Sequence, residues 1–172
     1  DGSVRMVADP AVLRTLSPLP GTRVELNAMA KSLGAGAEAL RMGDQATEAA
    51  FRADPRIKTS SILAFATHGL LPGEASSTNE PGLVMTPPLE AQWQNDGVLS
   101  ASEVAELSLS AEWVILSACN TASPQGDKGA DSLSGLARGF LYAGAHALLA
   151  THWRVSDDAT AALTVETLTL RR

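Results

Sequence analysis

Two segments indicate the class of fold: Ser61-Ile62-Leu63-Ala64-Phe65-Ala66-Thr67-His68 and Trp113-Val114-Ile115-Leu116-Ser117-Ala118-Cys119. Each is a short apolar run followed by turn-forming residues, which is typical of a buried strand in a parallel sheet. If the two strands are parallel neighbours, His68 and Cys119 lie at the same carboxyl edge, because adjacent strands are only about 4.8 Å apart. A thiol beside an imidazole is a common form of activated nucleophile. The two segments therefore predict a nucleophilic cysteine at one edge of the sheet.

The bulk composition narrows the class of protein. The chain has 172 residues, of which 45% are hydrophobic, and this length suits one domain. Its formal net charge of −6 argues against nucleic acid as the main partner, because phosphate binding needs a basic face. The single cysteine cannot form an internal disulfide, so nothing indicates an oxidising compartment. No apolar run approaches the roughly 20 residues that span a membrane, and no signal pattern opens the chain. We expect a cytoplasmic protein with neither a membrane nor a nucleic-acid partner.

Strand-like and helix-like segments alternate along the chain. Strands are predicted at 4–8, 37–42, 61–68, 113–119 and 145–151, and helices at 22–33, after an Asp44 cap, at 101–107, at 133–143 and from about 158. Gly34 is the predicted stop of the helix at 22–33, and Ser100 with Glu103 predicts a capping box that opens the helix at 101–107. Such alternation predicts an α/β fold in which a mostly parallel central sheet lies between two helical layers. The chain begins at Asp1 without a methionine and stops in a helix-like stretch, so we expect residues 1–172 to be a single domain cut from a longer protein.

A long turn-rich segment, residues 71–95, follows His68, and only residues 82–86 in it resemble a strand. A loop of this length inside a compact domain is usually functional or disordered. Because it follows the candidate histidine directly, we expect it to border the site.

Gly69 adds to the chemistry predicted for His68. A residue without a Cβ lets a substrate carbonyl approach the main chain, so the backbone N–H groups of Gly69 and Cys119 are candidates for an oxyanion hole. His152 ends the next predicted strand and is a rival base, although Trp153 and Arg154 after it give no comparable access. His146 begins that strand, at the opposite edge, and is interpreted as structural.

Alternatives to a catalytic site remain open at this point. A free cysteine often only fills space in a core, and a histidine at a strand end often only bonds to the backbone. No metal-ligand spacing, no phosphate-binding glycine motif and no Gly-x-Ser-x-Gly elbow occurs in the chain. We therefore expect neither a metal nor any other cofactor.

Five motifs in chain order resemble the CHAT family, whose members are caspase-like cysteine peptidase domains related to caspases and separases. They are Phe65-Ala66-Thr67-His68-Gly69, Gly82-Leu83-Val84-Met85-Thr86-Pro87, Asp96-Gly97-Val98-Leu99-Ser100-Ala101-Ser102-Glu103-Val104-Ala105, Val114-Ile115-Leu116-Ser117-Ala118-Cys119-Asn120-Thr121-Ala122 and Gly135-Leu136-Ala137-Arg138-Gly139-Phe140-Leu141-Tyr142-Ala143-Gly144-Ala145. The resemblance covers about residues 20–168. One small departure is Ala122, where many members have glycine.

The resemblance implies a caspase-like fold that cleaves protein or peptide substrates, with His68 as general base and Cys119 as nucleophile. In related separases an aspartate in the loop after the next strand receives a basic P1 side chain, and Asp157 is the matching residue here. Asp157 and Asp158 are equally interpretable as a helix N-cap pair, and Arg154 stands where it would repel a basic P1 group. Many members carry tetratricopeptide repeats upstream, so such repeats or a regulatory partner are expected to control activity. The alternative hypothesis is a catalytically silent CHAT module that acts as an interaction scaffold.

Overall fold

A computed structural model describes residues 7–74, 79–117 and 128–150, with side chains of the last range described from residue 135 onward. The helices are α1 (Pro10–Leu13), α2 (Pro20–Leu33), α3 (Glu48–Ala53), α4 (Ala101–Ala105) and α5 (Lys128–Tyr142). The strands are β1 (Ile62–Phe65), β2 (Gly69–Leu70), β3 (Gly82–Val84), β4 (Val98–Ser100), β5 (Trp113–Leu116) and β6 (Ala147–Ala150).

The first sheet has the order β1-β5-β6, and both pairings in it are parallel. Strand β1 lies beside β5 with Ile62 opposite Trp113 and Phe65 opposite Leu116. The central strand, β5, is the most buried of the three, since Val114, Ile115 and Leu116 are all buried. The prediction that the two apolar strands, β1 and β5, are parallel neighbours is confirmed.

Helices cover both faces of this sheet because its side chains alternate in direction along each strand. On one face, Met29 of α2 packs against Ile115, with Leu26 beside them. On the other face, Phe140 of α5 and Val104 of α4 join the main core. The rings of Phe65 and Phe140 lie 5.5 Å apart in that core. Three layers result, as the sequence predicts for an α/β fold with a mostly parallel sheet.

A second sheet, antiparallel and of order β2-β3-β4, is formed by the segment that follows His68. Its central strand, β3, falls within residues 82–86, the part of the turn-rich segment that the sequence indicates as strand-like. The strands contain only two or three residues each, too few for a visible periodic pattern. A Cβ on Gly82 would lie 2.5 Å from Cγ1 of Val98, so glycine permits the close approach of β3 and β4.

Two predicted helix ends are found where the sequence indicates them. Helix α2 stops at Gly34, whose φ of 69° is the left-handed conformation that glycine adopts without strain. Helix α4 opens with a capping box, in which Ser100 and Glu103 satisfy each other's backbone N–H groups.

Three predictions near the amino terminus differ from the structure. The expected strand at 37–42 is wrong, since Ala37–Ala39 forms a 3-10 turn. The Asp44 cap is also wrong, because Thr47 accepts from the backbone N–H of Ala50 and begins α3. Of the strand expected at 4–8, residues 7 and 8 are irregular and the others lie outside the described residues.

Candidate active site

His68 lies where the two sheets meet, three residues beyond the end of β1 and immediately before β2. Its carbonyl oxygen accepts a hydrogen bond from the N–H of Val84 at 2.8 Å. The hydroxyl of the preceding Thr67 donates to the carbonyl of Val84. These bonds tie both residues to β3, so the backbone of His68 is fixed by the second sheet as well as by β1.

The imidazole of His68 has its own partner, the backbone carbonyl of Ser17 in the loop between α1 and α2. The distance from Nε2 to that oxygen is 2.8 Å. A carbonyl oxygen only accepts hydrogen bonds, so Nε2 carries the proton and Nδ1 keeps its lone pair in the neutral ring. Sequence reasoning missed this partner. A backbone carbonyl leaves no side-chain signature, and the Pro-rich composition of the loop indicates only a turn.

Gly69 is buried in β2, which is an edge strand of the second sheet within the described residues. It pairs with Leu83, and the hydrogen bond from Val84 N–H to His68 O makes this a non-hydrogen-bonded pair. The N–H of Gly69 consequently points away from β3. It is therefore not used in the β2–β3 ladder, as an oxyanion donor requires.

Cys119, His152 and Asp157, with Arg154 and Asp158, lie outside the described residues. The strand that leads to Cys119, β5, lies beside β1, the strand that leads to His68. Beyond the last paired residues, Phe65 and Leu116, the N–H of Ser117 still donates to the carbonyl of Phe65 at 2.8 Å. In sequence, His68 and Cys119 each stand three residues beyond this last pair.

A buried carboxylate contacts the end of β5. Glu25 of α2 is only 4% exposed, and the hydroxyl of Ser117 donates to its Oε1 atom. Nothing in the sequence indicates this contact, because 92 residues separate the partners and a single glutamate on a helix ordinarily faces solvent.

A cleft of about 610 Å³ opens along β1 and α2, and His68 forms part of its wall. Leu26, Met29 and Phe65 contribute apolar surface to it, while Arg23 contributes a cation. A molecule in this cleft is thus able to reach the edge of the sheet that bears His68.

A cluster of charged side chains joins α3, α4 and the turn before β4. Glu48 is fully buried, and its Oε1 lies 3.1 Å from Nε of Arg52. The same guanidinium lies 3.1 Å from Oε1 of Glu103, and the N–H of Asp96 donates to Glu48 at 3.2 Å. Burial, and next the nearby charge of Glu103, raise the pKa of Glu48 above its ordinary value, although Arg52 opposes the shift.

Residues 3–170 match the family model of the CHAT domain, which is nearly the whole chain. The chain belongs to the CHAT family. No curated protein and no solved structure shows significant similarity to it. The CHAT family is related to caspase-like proteases. The parallel β1-β5-β6 sheet between helices is consistent with the α/β caspase-like fold of that family.

Other parts of this CHAT domain bear on the sequence predictions. His146 is exposed at the amino end of β6, where its N–H donates to the carbonyl of Ala111 at 2.9 Å. Among the described residues, no three His, Cys, Asp or Glu side chains converge as a metal site would require. Within the same ranges, no helix combines the length and apolar character needed to cross a bilayer.

Proposed function

We propose that this CHAT domain is a cysteine endopeptidase in which His68 and Cys119 form the catalytic dyad. One observation carries the proposal. Strands β1 and β5 are adjacent and parallel, and the last paired residues are Phe65 and Leu116. His68 and Cys119 each follow this pair by three residues in the sequence. Family membership supports it, because CHAT domains are related to caspase-like proteases.

The tautomer of His68 suits this chemistry. With Nε2–H bonded to Ser17, the free Nδ1 accepts the proton of the Cys119 thiol. The thiolate attacks the carbonyl carbon of the scissile peptide, and the carbonyl oxygen becomes an oxyanion held by the N–H groups of Gly69 and Cys119. Nδ1 then protonates the departing amine as the carbon–nitrogen bond breaks. Water, deprotonated by the same nitrogen, attacks the thioester and releases the carboxylic acid and the thiol.

For specificity we propose cleavage after arginine or lysine. This part rests on the likeness of residues 153–157 to the separase loop, which assigns Asp157 to the base of the P1 pocket. A carboxylate in a desolvated pocket pairs well with a basic side chain, and best with the bidentate guanidinium. Arg154 in the same loop would repel a basic P1 side chain and so acts against the attraction that Asp157 provides.

Control by other domains or by a partner is part of the proposal. Upstream tetratricopeptide repeats or a regulatory protein would shift the population of the active arrangement, and a cytoplasmic location fits the reduced thiol that the mechanism needs. A protein or peptide is the substrate, with neither cofactor nor nucleic acid in the reaction.

The test uses the single cysteine of the chain. A peptide acyloxymethyl ketone with arginine at P1 should label Cys119 in the native domain, and the label should disappear in Cys119→Ala. His68→Ala should slow labelling at least about 100-fold through loss of the base, whereas the matched control His146→Ala should label normally. Equal labelling of native protein and His68→Ala would contradict the dyad and favour the scaffold hypothesis.

A further inference from the structure

The contact between Ser117 and Glu25 is not used by the proposed mechanism, yet it lies on the strand that leads to the nucleophile. Ser117 is held at two points. Its N–H donates to Phe65 of β1, and its hydroxyl donates to the carboxylate of Glu25 on α2. The first bond sets the strand in the plane of the sheet, and the second fixes it relative to the helical layer.

The same stretch of chain also holds the histidine. The carbonyl that accepts from His68 belongs to Ser17, three residues before α2 begins at Pro20. Helix α2 is fixed on the sheet by Met29, which packs against Ile115 of β5. Helix α2 and the short loop before it thus connect the partner of the imidazole to the partner of Ser117.

We propose that Glu25 is a positioning residue, whose carboxylate fixes the end of β5 so that Cys119, two residues further along the chain, is aligned with His68. The inference rests on the proposed cysteine chemistry and names a residue on which that chemistry depends. In this scheme Glu25 contacts neither the substrate nor the sulfur, and its effect on Cys119 passes through Ser117.

The burial of Glu25 favours a directional role over simple packing. Leu26 and Met29 of the same helix form an apolar cluster with Ile115 of β5, which a hydrophobic side chain in place of Glu25 would extend. A buried carboxylate is unfavourable unless it is hydrogen-bonded. Glu25 therefore gives this position a directional hydrogen bond to Ser117, where a hydrophobic residue would give only buried apolar area. Reaction rates are sensitive to such geometry, since a misplacement of about 1 Å costs on the order of 100-fold.

The experiment compares Glu25→Leu, Glu25→Gln, Ser117→Ala and the double variant Glu25→Leu with Ser117→Ala. The rate of iodoacetamide alkylation of Cys119 is measured against pH, together with the rate of labelling by the arginine ketone. Thermal unfolding of every variant is followed by circular dichroism. Glu48→Gln is the matched control, because Glu48 is also buried and hydrogen-bonded but joins a different cluster.

Glu25→Leu and Ser117→Ala should each lower the ketone-labelling rate by about 10- to 100-fold. The double variant should lose no more than the worse single variant, because both changes remove the same bond. Glu25→Gln should lose less than about 3-fold, since an amide oxygen still accepts from Ser117. Glu48→Gln should leave the rate unchanged whatever it does to the unfolding temperature.

Three results overturn the inference. The first is a native labelling rate in folded Glu25→Leu and Ser117→Ala. The second is additive losses in the double variant. The third is a ketone-labelling rate that falls in proportion to the unfolding temperature in every variant, Glu48→Gln included. If Glu25→Leu does not fold, Ser117→Ala and Glu25→Gln decide between these outcomes. Failure of the dyad itself is distinguished by His68→Ala, which would then alkylate and label as fast as native protein.

Discussion

Nε2 of His68 lies 2.8 Å from the carbonyl oxygen of Ser17. The two residues are 51 positions apart, and the contact joins the loop before α2 to the junction of the two sheets. Because the carbonyl accepts and never donates, it selects one tautomer of the ring and restricts its rotation. A backbone atom of a turn therefore orients the candidate base.

This contact predicts the tautomer of His68 in solution. Neutral His68 should be the Nε2–H form, and the ¹⁵N shift of Nδ1 should be that of an unprotonated nitrogen. Exposed His146 should show the averaged shifts of a mixture of tautomers. Long-range ¹H–¹⁵N spectra of both rings test this. An Nδ1–H form of His68 would contradict the assignment of Nδ1 as the base.

The P1 pocket gives a second prediction. Asp157→Ala should lower kcat/KM for a substrate with arginine at P1 by about 30-fold or more, because loss of one partner of a buried ion pair costs about 2–5 kcal/mol. The adjacent Asp158→Ala is the control and should retain most activity. Unfolding curves of the two variants show whether the fold survives. Equal losses of stability with unchanged specificity would make Asp157 a helix cap.

The buried Glu48 predicts a pH-dependent stability. Its pKa is raised in the folded protein above the ordinary value of 4.5, so the folded state binds the proton more tightly than the unfolded state. The contribution of Glu48 to the free energy of unfolding should therefore fall as pH rises from about 4.5 through the folded pKa, by roughly 1.4 kcal/mol for each unit of difference.

Glu48→Gln removes this titration. The free energy of unfolding of the variant, relative to that of the native domain, should therefore rise with pH over the same window. Urea unfolding from pH 4 to pH 8 measures both curves. The groups facing Glu48 are Arg52, Glu103 and Asp96, all retained in the variant. Parallel curves for the two proteins would show that the carboxylate does not titrate as predicted.

Two glycines with positive φ provide a matched test of packing. Gly34 has φ of 69°, and a Cβ added there would have no heavy atom of the described residues within 4 Å, so Gly34→Ala should cost only about 1 kcal/mol of backbone strain. At Gly144, with φ of 110°, the same carbon would lie 2.4 Å from the carbonyl oxygen of Leu109. Gly144→Ala should cost about 3 kcal/mol or more. Chemical denaturation compares them, and similar losses would contradict the steric argument.

Much of the first sheet and its helices is predictable from local patterns. Strands β1 and β5 are short apolar runs, α2 carries a periodic apolar stripe that ends at Gly34, and Ser100 with Glu103 forms the predicted capping box. Each signal depends on residues within a few positions of one another, where side-chain direction and backbone preference act directly.

The remaining features depend on contacts between distant parts of the chain. The second sheet is built from strands of two or three residues, which are stabilised by pairing more than by their own pattern. The predicted strand at 37–42 instead contains a 3-10 turn at Ala37–Ala39.

The α/β class, the family and the candidate dyad follow from the sequence, because these depend on residue identity and on short-range periodicity. The partners of the site depend on the tertiary structure. Ser17 acts through a carbonyl that every residue has, and Glu25 meets Ser117 across 92 positions. Neither contact leaves a local signature, since a hydrogen bond between distant segments depends on where packing places them and not on their neighbours in sequence.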